Sequence, residues 1–296
     1  MKFTYIFVLF SLLFGIEFET SIGKCKLQLY NNSNIDQFEI IQLIKKSTFD
    51  IVNKYGKVKQ SPYFIYITNT IDEFEKIAKG PIPEWGVAVA KKNPDRAIIK
   101  SPHIANINFT RMKQIIVHEI NHIYIYRVLF NKTIPSWFKE GFAMHTANEF
   151  NMIYKMELSK ALFLDRLIPL NKLRKIIHYD NNQITLAYAQ SACTINALEY
   201  IYGNDIVYLI IQNMQQGMTF NDSFKKSTGF NIEHFESEYL NYLENNYNWL
   251  LLFKIPKYIY AILAFILIFG YIYRSYKNKI IIKKWEIEDD LDDSEI

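Results

Sequence analysis

Cysteine is scarce, with Cys25 and Cys193 the two in 296 residues. They can pair in an oxidising compartment, but two are too few for a disulfide scaffold, so the fold must rest on a hydrophobic core. A strong charge of one sign is also missing. The 34 basic and 30 acidic residues leave a formal net charge of +4, and part of that excess sits after the last apolar run, at Lys277, Lys279, Lys283 and Lys284. No broad basic field remains, so no nucleic-acid partner is expected. Internal repeats and low-complexity linkers are absent too, and residues 24–248 read as one globular domain with room for a real core.

Histidine is also rare, six in the chain, yet two stand four apart in His118-Glu119-Ile120-Asn121-His122. This is the HExxH pattern of zinc hydrolases. At 3.6 residues per turn His118 and His122 stack on one helix face and can give two nitrogens to one ion, with Glu119 turned toward the attacking water. Asn108 or Thr110 can cap such a helix, and Ile116, Ile120 and Ile123 recur at helical spacing, which predicts a helix over 111–129. A catalytic zinc site takes three protein ligands, so a third donor is expected downstream. Glu140 is the best candidate, in Pro135-Ser136-Trp137-Phe138-Lys139-Glu140-Gly141-Phe142-Ala143. There Pro135 suits a helix entry, and Trp137 and Phe138 can pack that helix on the first. His145 is the runner-up ligand, and Glu149 lies at a less certain angle. His103, His178 and His234 stand alone and receive no role.

With these residues the chain resembles the gluzincin metallopeptidases, most closely the Peptidase MA-like group, in which HExxH is followed by P-x-W-x-x-E-G-x-A. Gly86 to Ala90 and Ala97 to Pro102 look like the family's strands before the zinc helix. Ala187-Tyr188-Ala189-Gln190-Ser191 looks like its downstream helix, and Thr228 to Glu236 like its closing segment. The resemblance implies a zincin-like fold and one zinc ion held by His118, His122 and Glu140. It also implies Glu119 as general base for hydrolysis of a peptide or protein substrate, and Tyr188 as a donor to the oxyanion. Among 21 tyrosines, a packing role for Tyr188 stays open. An extended substrate would add to the sheet edge at Gly86 to Ala90. The alternative is a catalytically inactive zincin-fold ectodomain that binds or scaffolds. Glu119 speaks against it, because a purely structural metal requires no base.

Two apolar runs frame this domain. Met1 to Ile16 opens with Lys2 and then carries no charge through Ile16, the pattern of a signal peptide, with Ser21-Ile22-Gly23 supplying small residues for cleavage after Gly23. An uncleaved anchor is the alternative. The second run, extended to 255–273, reads as one transmembrane helix contacting membrane lipid, with tyrosines at its ends. Arg274 and the lysines that follow place the tail, 274–296, in the cytoplasm and the zinc domain outside a single-pass cell-membrane protein. Leu27 to Tyr55 looks mainly helical after a short start, Tyr63 to Thr68 alternates as a strand, and Gly86 to Ile99 forms a strand pair. Helices dominate after Arg111. Strands first and helices after define an α+β class with a small sheet and a mostly helical C-terminal part.

Overall fold

The computed structural model describes residues 15–29, 36–79, 86–130, 132–173, 181–248 and 257–292. It divides into two compact units, Met1–Tyr247 and Asn248–Ile296.

In the first unit β1 (Ile16–Thr20) and β2 (Gly23–Leu29) form an antiparallel hairpin. β2 continues through α1 (Gln37–Tyr55) into β3 (Tyr63–Thr68), and β3 through α2 (Ile71–Ala78) toward β5 (Arg96–Lys100). Both strand pairs, β2 with β3 and β3 with β5, are parallel, as helical crossovers demand. β4 (Ala88–Lys91) then pairs antiparallel with β5 and closes the order β1-β2-β3-β5-β4 at one edge. Alternation builds β3: Tyr63, Ile65 and Ile67 are fully buried, while Phe64 and Tyr66 stack on the opposite face at 6.0 Å. α1 starts where the Asp36 carboxylate accepts from Phe38 N and Glu39 N. It buries Ile40, Ile44, Thr48, Ile51 and Tyr55 along one face.

The helical half follows, as expected. It comprises α3 (Pro102–Ala105), α4 (Phe109–Leu129), α5 (Ser136–Thr146), α6 (Met152–Phe163), α7 (Asn181–Tyr202), α8 (Ile206–Gln215), α9 (Phe220–Thr228) and α10 (Ile232–Tyr247). Trp137 anchors α5 by edge contacts to Phe138 and Phe220 at 5.7 Å and by Phe235 of α10 at 6.5 Å. α5 and α7 touch backbone to backbone. A Cβ on Gly141 would stand 2.1 Å from Ser191 O, so only glycine permits this approach, and the small Ala187, Ser191 and Ala192 face the same interior.

Ile16–Thr20 is a paired strand and Ile22 is fully buried, so the expected boundary after Gly23 falls inside the hairpin. Leu27, in the short start expected before the helix, lies in the strand β2, with Cys25 and Leu27 pointing inward and Lys24 outward. The cysteines are both free and buried: Cys25 lies in β2 beside Tyr63, and Cys193 in α7 near Tyr239 and Tyr247.

In the second unit α11 (Lys257–Asp292) is one 36-residue helix. Ile259–Ile282 is long and apolar enough to cross a membrane, and Phe265, Ile266, Leu267 and Phe269 are exposed along it. This stretch lies further along the chain than the expected 255–273, and the helix continues into the polar tail. Residues 255 and 256 fall outside the described ones.

Candidate metal centre

α4 carries the HExxH pattern. Asn108 caps it, accepting from Arg111 N at 2.8 Å, and Ile116, Ile120 and Ile123 are fully buried, which fixes the rotation of the helix. The four-residue spacing stacks His118 and His122 with ring centroids 4.7 Å apart. α5 packs beside α4 and brings in Glu140. Its Oε2 lies 3.6 Å from His118 Nε2 and 3.4 Å from His122 Nε2. One donor atom from each of the three residues falls within 4.8 Å of the others. Donors about 2.1 Å from a common tetrahedral ion stand about 3.4 Å from one another. The two imidazole nitrogens and the carboxylate oxygen therefore fit a zinc ion in both kind and spacing.

Glu149, weighed in the sequence as a rival donor, stands behind the pair instead. Its Oε1 is 3.1 Å from His118 Nδ1, an ion-pair contact off the hydrogen-bond line, and its Oε2 accepts from Arg111 Nη2 at 3.2 Å. A carboxylate on Nδ1 directs the opposite nitrogen toward a metal. His145 is turned away: its Nδ1 lies 2.8 Å from Asn196 Oδ1 and its Nε2 3.2 Å from Glu199 Oε2. His234 stacks on Phe230, His103 is part of the short α3, and His178 falls outside the described residues.

Burial works against the charged forms of all these groups, and neighbouring charges overcome it at His118 and Glu140 but not at His122 and Glu119. Burial lowers the His118 pKa, yet Glu149, Glu140 and Glu119 outweigh it and hold the imidazolium well above its usual range. Burial leaves His122 lowered to about 4, against an opposing pull from Glu140. Burial also raises Glu140, but His122, Lys139 and His118 overcome it and hold that carboxylate well below its ordinary value. Glu119 is pushed up to about 7, chiefly by burial.

A cleft of about 250 Å³ opens on this cluster, lined by Gly86, Val87 and Ala88 before and on β4, by His118 and Glu119, and by Tyr154 and Tyr188. Tyr188, half-buried on α7, thus shares the cleft with Glu119. Gln190, two residues on, faces the opposite task. Its side chain binds Ile168 N and Ile168 O, both at 2.9 Å, and clamps the segment before α7.

Two histidines and a glutamate on adjoining helices beside a small mixed sheet define a gluzincin metallopeptidase fold. The profile of the Peptidase MA superfamily matches residues 44–245, and the chain belongs to that superfamily. Among solved structures it is similar to an aminopeptidase N family protein from Idiomarina loihiensis, at 13% identity and a TM-score of 0.50, covering 76% of this chain and 46% of that one. It is also similar to an M1 zinc metallopeptidase from Deinococcus radiodurans, at 12% identity and a TM-score of 0.43, covering 77% and 50%. The chain thus spans about half the length of these structures. None of the curated proteins matches it by sequence.

Proposed function

We propose that the chain is a membrane-anchored zinc metallopeptidase with its catalytic domain outside the cytoplasm, in which His118, His122 and Glu140 hold one zinc ion and Glu119 is the general base. The observation that carries this reading is the convergence of the three donors, with Glu119 beside them and on the cleft. Zinc, when bound there, supplies a Lewis acid for the scissile carbonyl and lowers the pKa of water. Glu119 takes a proton from the attacking water and passes it to the leaving amine. Tyr188, in the same cleft, donates a hydrogen bond from its hydroxyl to the oxyanion. β4 pairs with β5 on one side only, and its free edge offers backbone groups to an extended peptide. Glu119 favours turnover over a scaffolding role, since a buried carboxylate at the cleft costs stability that a structural site has no reason to spend.

Anchoring is carried by Ile259–Ile282. Arg274, Lys277 and Lys279 in its second half, with Lys283 and Lys284 after it, orient the C-terminus to the cytoplasm. The leader is read as lying before Ile16.

Native mass spectrometry of the full chain in detergent tests the centre directly. About one zinc per wild-type chain is expected, and none in the His118→Ala/His122→Ala double variant. Metal-free wild-type protein that stays folded in added zinc would remove the enzyme reading.

Zinc binding is also expected to depend on pH. The metal needs neutral imidazole, and His118 holds its proton above the usual range, so each zinc must displace that proton. His122, lowered to about 4, is already neutral. Apparent affinity should therefore rise about tenfold per pH unit for each displaced proton, up to the His118 pKa. Competition with a chromophoric chelator at pH 6 and pH 8 measures this, and equal affinities at the two values would contradict it.

A further inference from the structure

Lys139 and Glu140 are neighbours on α5, and successive residues on a helix point about 100° apart and do not normally meet. A lysine in that position ordinarily extends its stem and keeps its ammonium in water. Here the side chain turns inward, with 23% of its surface exposed, and its Nζ lies 3.1 Å from Glu140 Oε1. The two oxygens of Glu140 thus have different partners. Oε2 faces the Nε2 atoms of His118 and His122, at 3.6 and 3.4 Å, while Oε1 faces the lysine. Among the described ion pairs, Lys139 supplies the one lysine or arginine contact to this carboxylate.

We infer that Lys139 is a positioning residue of the metal centre, holding Glu140 Oε1 aside so that Oε2 alone is presented to the ion. The inference rests on the assignment of His118, His122 and Glu140 as ligands. A carboxylate free at both oxygens can turn and chelate with both, which raises the coordination number and uses a position that water and substrate need. A cation on Oε1 removes that option while leaving the ligand itself unchanged. Such partners of ligating groups typically affect metal affinity by 10- to 100-fold.

Cobalt substitution reads the geometry, because the visible bands of Co(II) weaken as its coordination number rises. The full chain in detergent is loaded with cobalt as wild type and as Lys139→Met, with circular dichroism of the metal-free forms to confirm folding. The expected result is intense bands in wild type, weaker bands in Lys139→Met at about one cobalt per chain, and zinc affinity lower by roughly 10- to 100-fold. Identical spectra and affinities would overturn the inference. Lower affinity with an unchanged spectrum would also overturn it, leaving Lys139 as a charge partner only. If Lys139→Met does not fold, Lys139→Gln carries the same comparison, since its shorter neutral amide does not reproduce the ammonium. Wild type that binds neither metal would bring down the ligand assignment itself, an outcome distinct from a difference between variants.

Discussion

Replacing Glu119 by Gln is expected to reduce peptide hydrolysis by roughly 10²- to 10⁴-fold, with zinc still bound. The substitution keeps size and shape but removes the ability to take a proton. Glu119 is not among the three converging donors, so metal content should hold. It is nonetheless inside the site, 6% exposed, with Oε2 lacking a hydrogen-bond partner among the described residues. Burial pushes it up to about 7, His118 and Lys139 pull the other way, and Glu140 and Glu149 add to the rise. A carboxyl poised near neutrality can both accept and return a proton, whereas an amide can do neither. Measuring kcat/KM on a mixture of model peptides, alongside zinc content, separates the two roles. Undiminished hydrolysis in a zinc-loaded Glu119→Gln protein would exclude Glu119 as the base.

Much of this site was legible because its geometry is local. Four-residue spacing on a helix dictates that His118 and His122 stack, and no tertiary fact is needed for it. Glu140 required more, since its arrival depends on a helical return that Pro135 and Trp137 signal only in outline. Glu149 and Lys139 were not assigned their places for different reasons. Glu149 comes from beyond the end of α5, where a left-handed Asn148 sets its direction and sequence periodicity stops. Lys139 was hidden because adjacent helical residues are read as pointing apart, and only the burial of its stem reverses that. The strand β3 matched its expected limits, since Tyr63, Ile65 and Ile67 alternate with outward aromatics. The hairpin at the start of the domain did have a signal. Ile16-Glu17-Phe18-Glu19-Thr20 and Lys24-Cys25-Lys26-Leu27 both alternate with period two, and their outward charges are opposite. Glu17 meets Lys24 at 2.8 Å and Lys26 at 3.6 Å across the strands. That alternation was not read, because the preceding apolar run and the small residues at Ser21 and Gly23 suit a cleaved leader.

A chain that begins at Lys24 is expected to lose most of the stability of the first unit, and the mature protein to begin upstream of Ile16. The turn between β1 and β2 is bound into the helix that carries the histidines. Ile22 O accepts from Ser61 N at 3.4 Å and from the Arg127 guanidinium, and Arg127 of α4 also donates to Asp95 Oδ2 at 2.7 Å. Gly23 has a φ of 127°, and a Cβ there would stand 2.3 Å from Ser61 O, so this turn is built for close backbone contact. Removing residues through Gly23 exposes the space around the fully buried Ile22, at roughly 1.5–3 kcal/mol. It also strips a charged donor of its acceptor, at roughly 1.5–3 kcal/mol more. The edge of β2 is left unpaired over the five residue pairs it makes with β1, a template for aggregation. These losses together are a large share of the 5–15 kcal/mol that stabilises a typical domain. Mass spectrometry of the N-terminal peptide from membrane-extracted protein, together with thermal melts of chains starting before Ile16 and at Lys24, measures both halves of the prediction. A mature terminus at Lys24, on a domain melting at the same temperature, would mean that β1 is dispensable and that the small residues at 21 and 23 mark the cut after all. A terminus upstream of Ile16 would instead make the hairpin part of the support for α4, linking the first strand of the domain to the helix that holds His118 and His122.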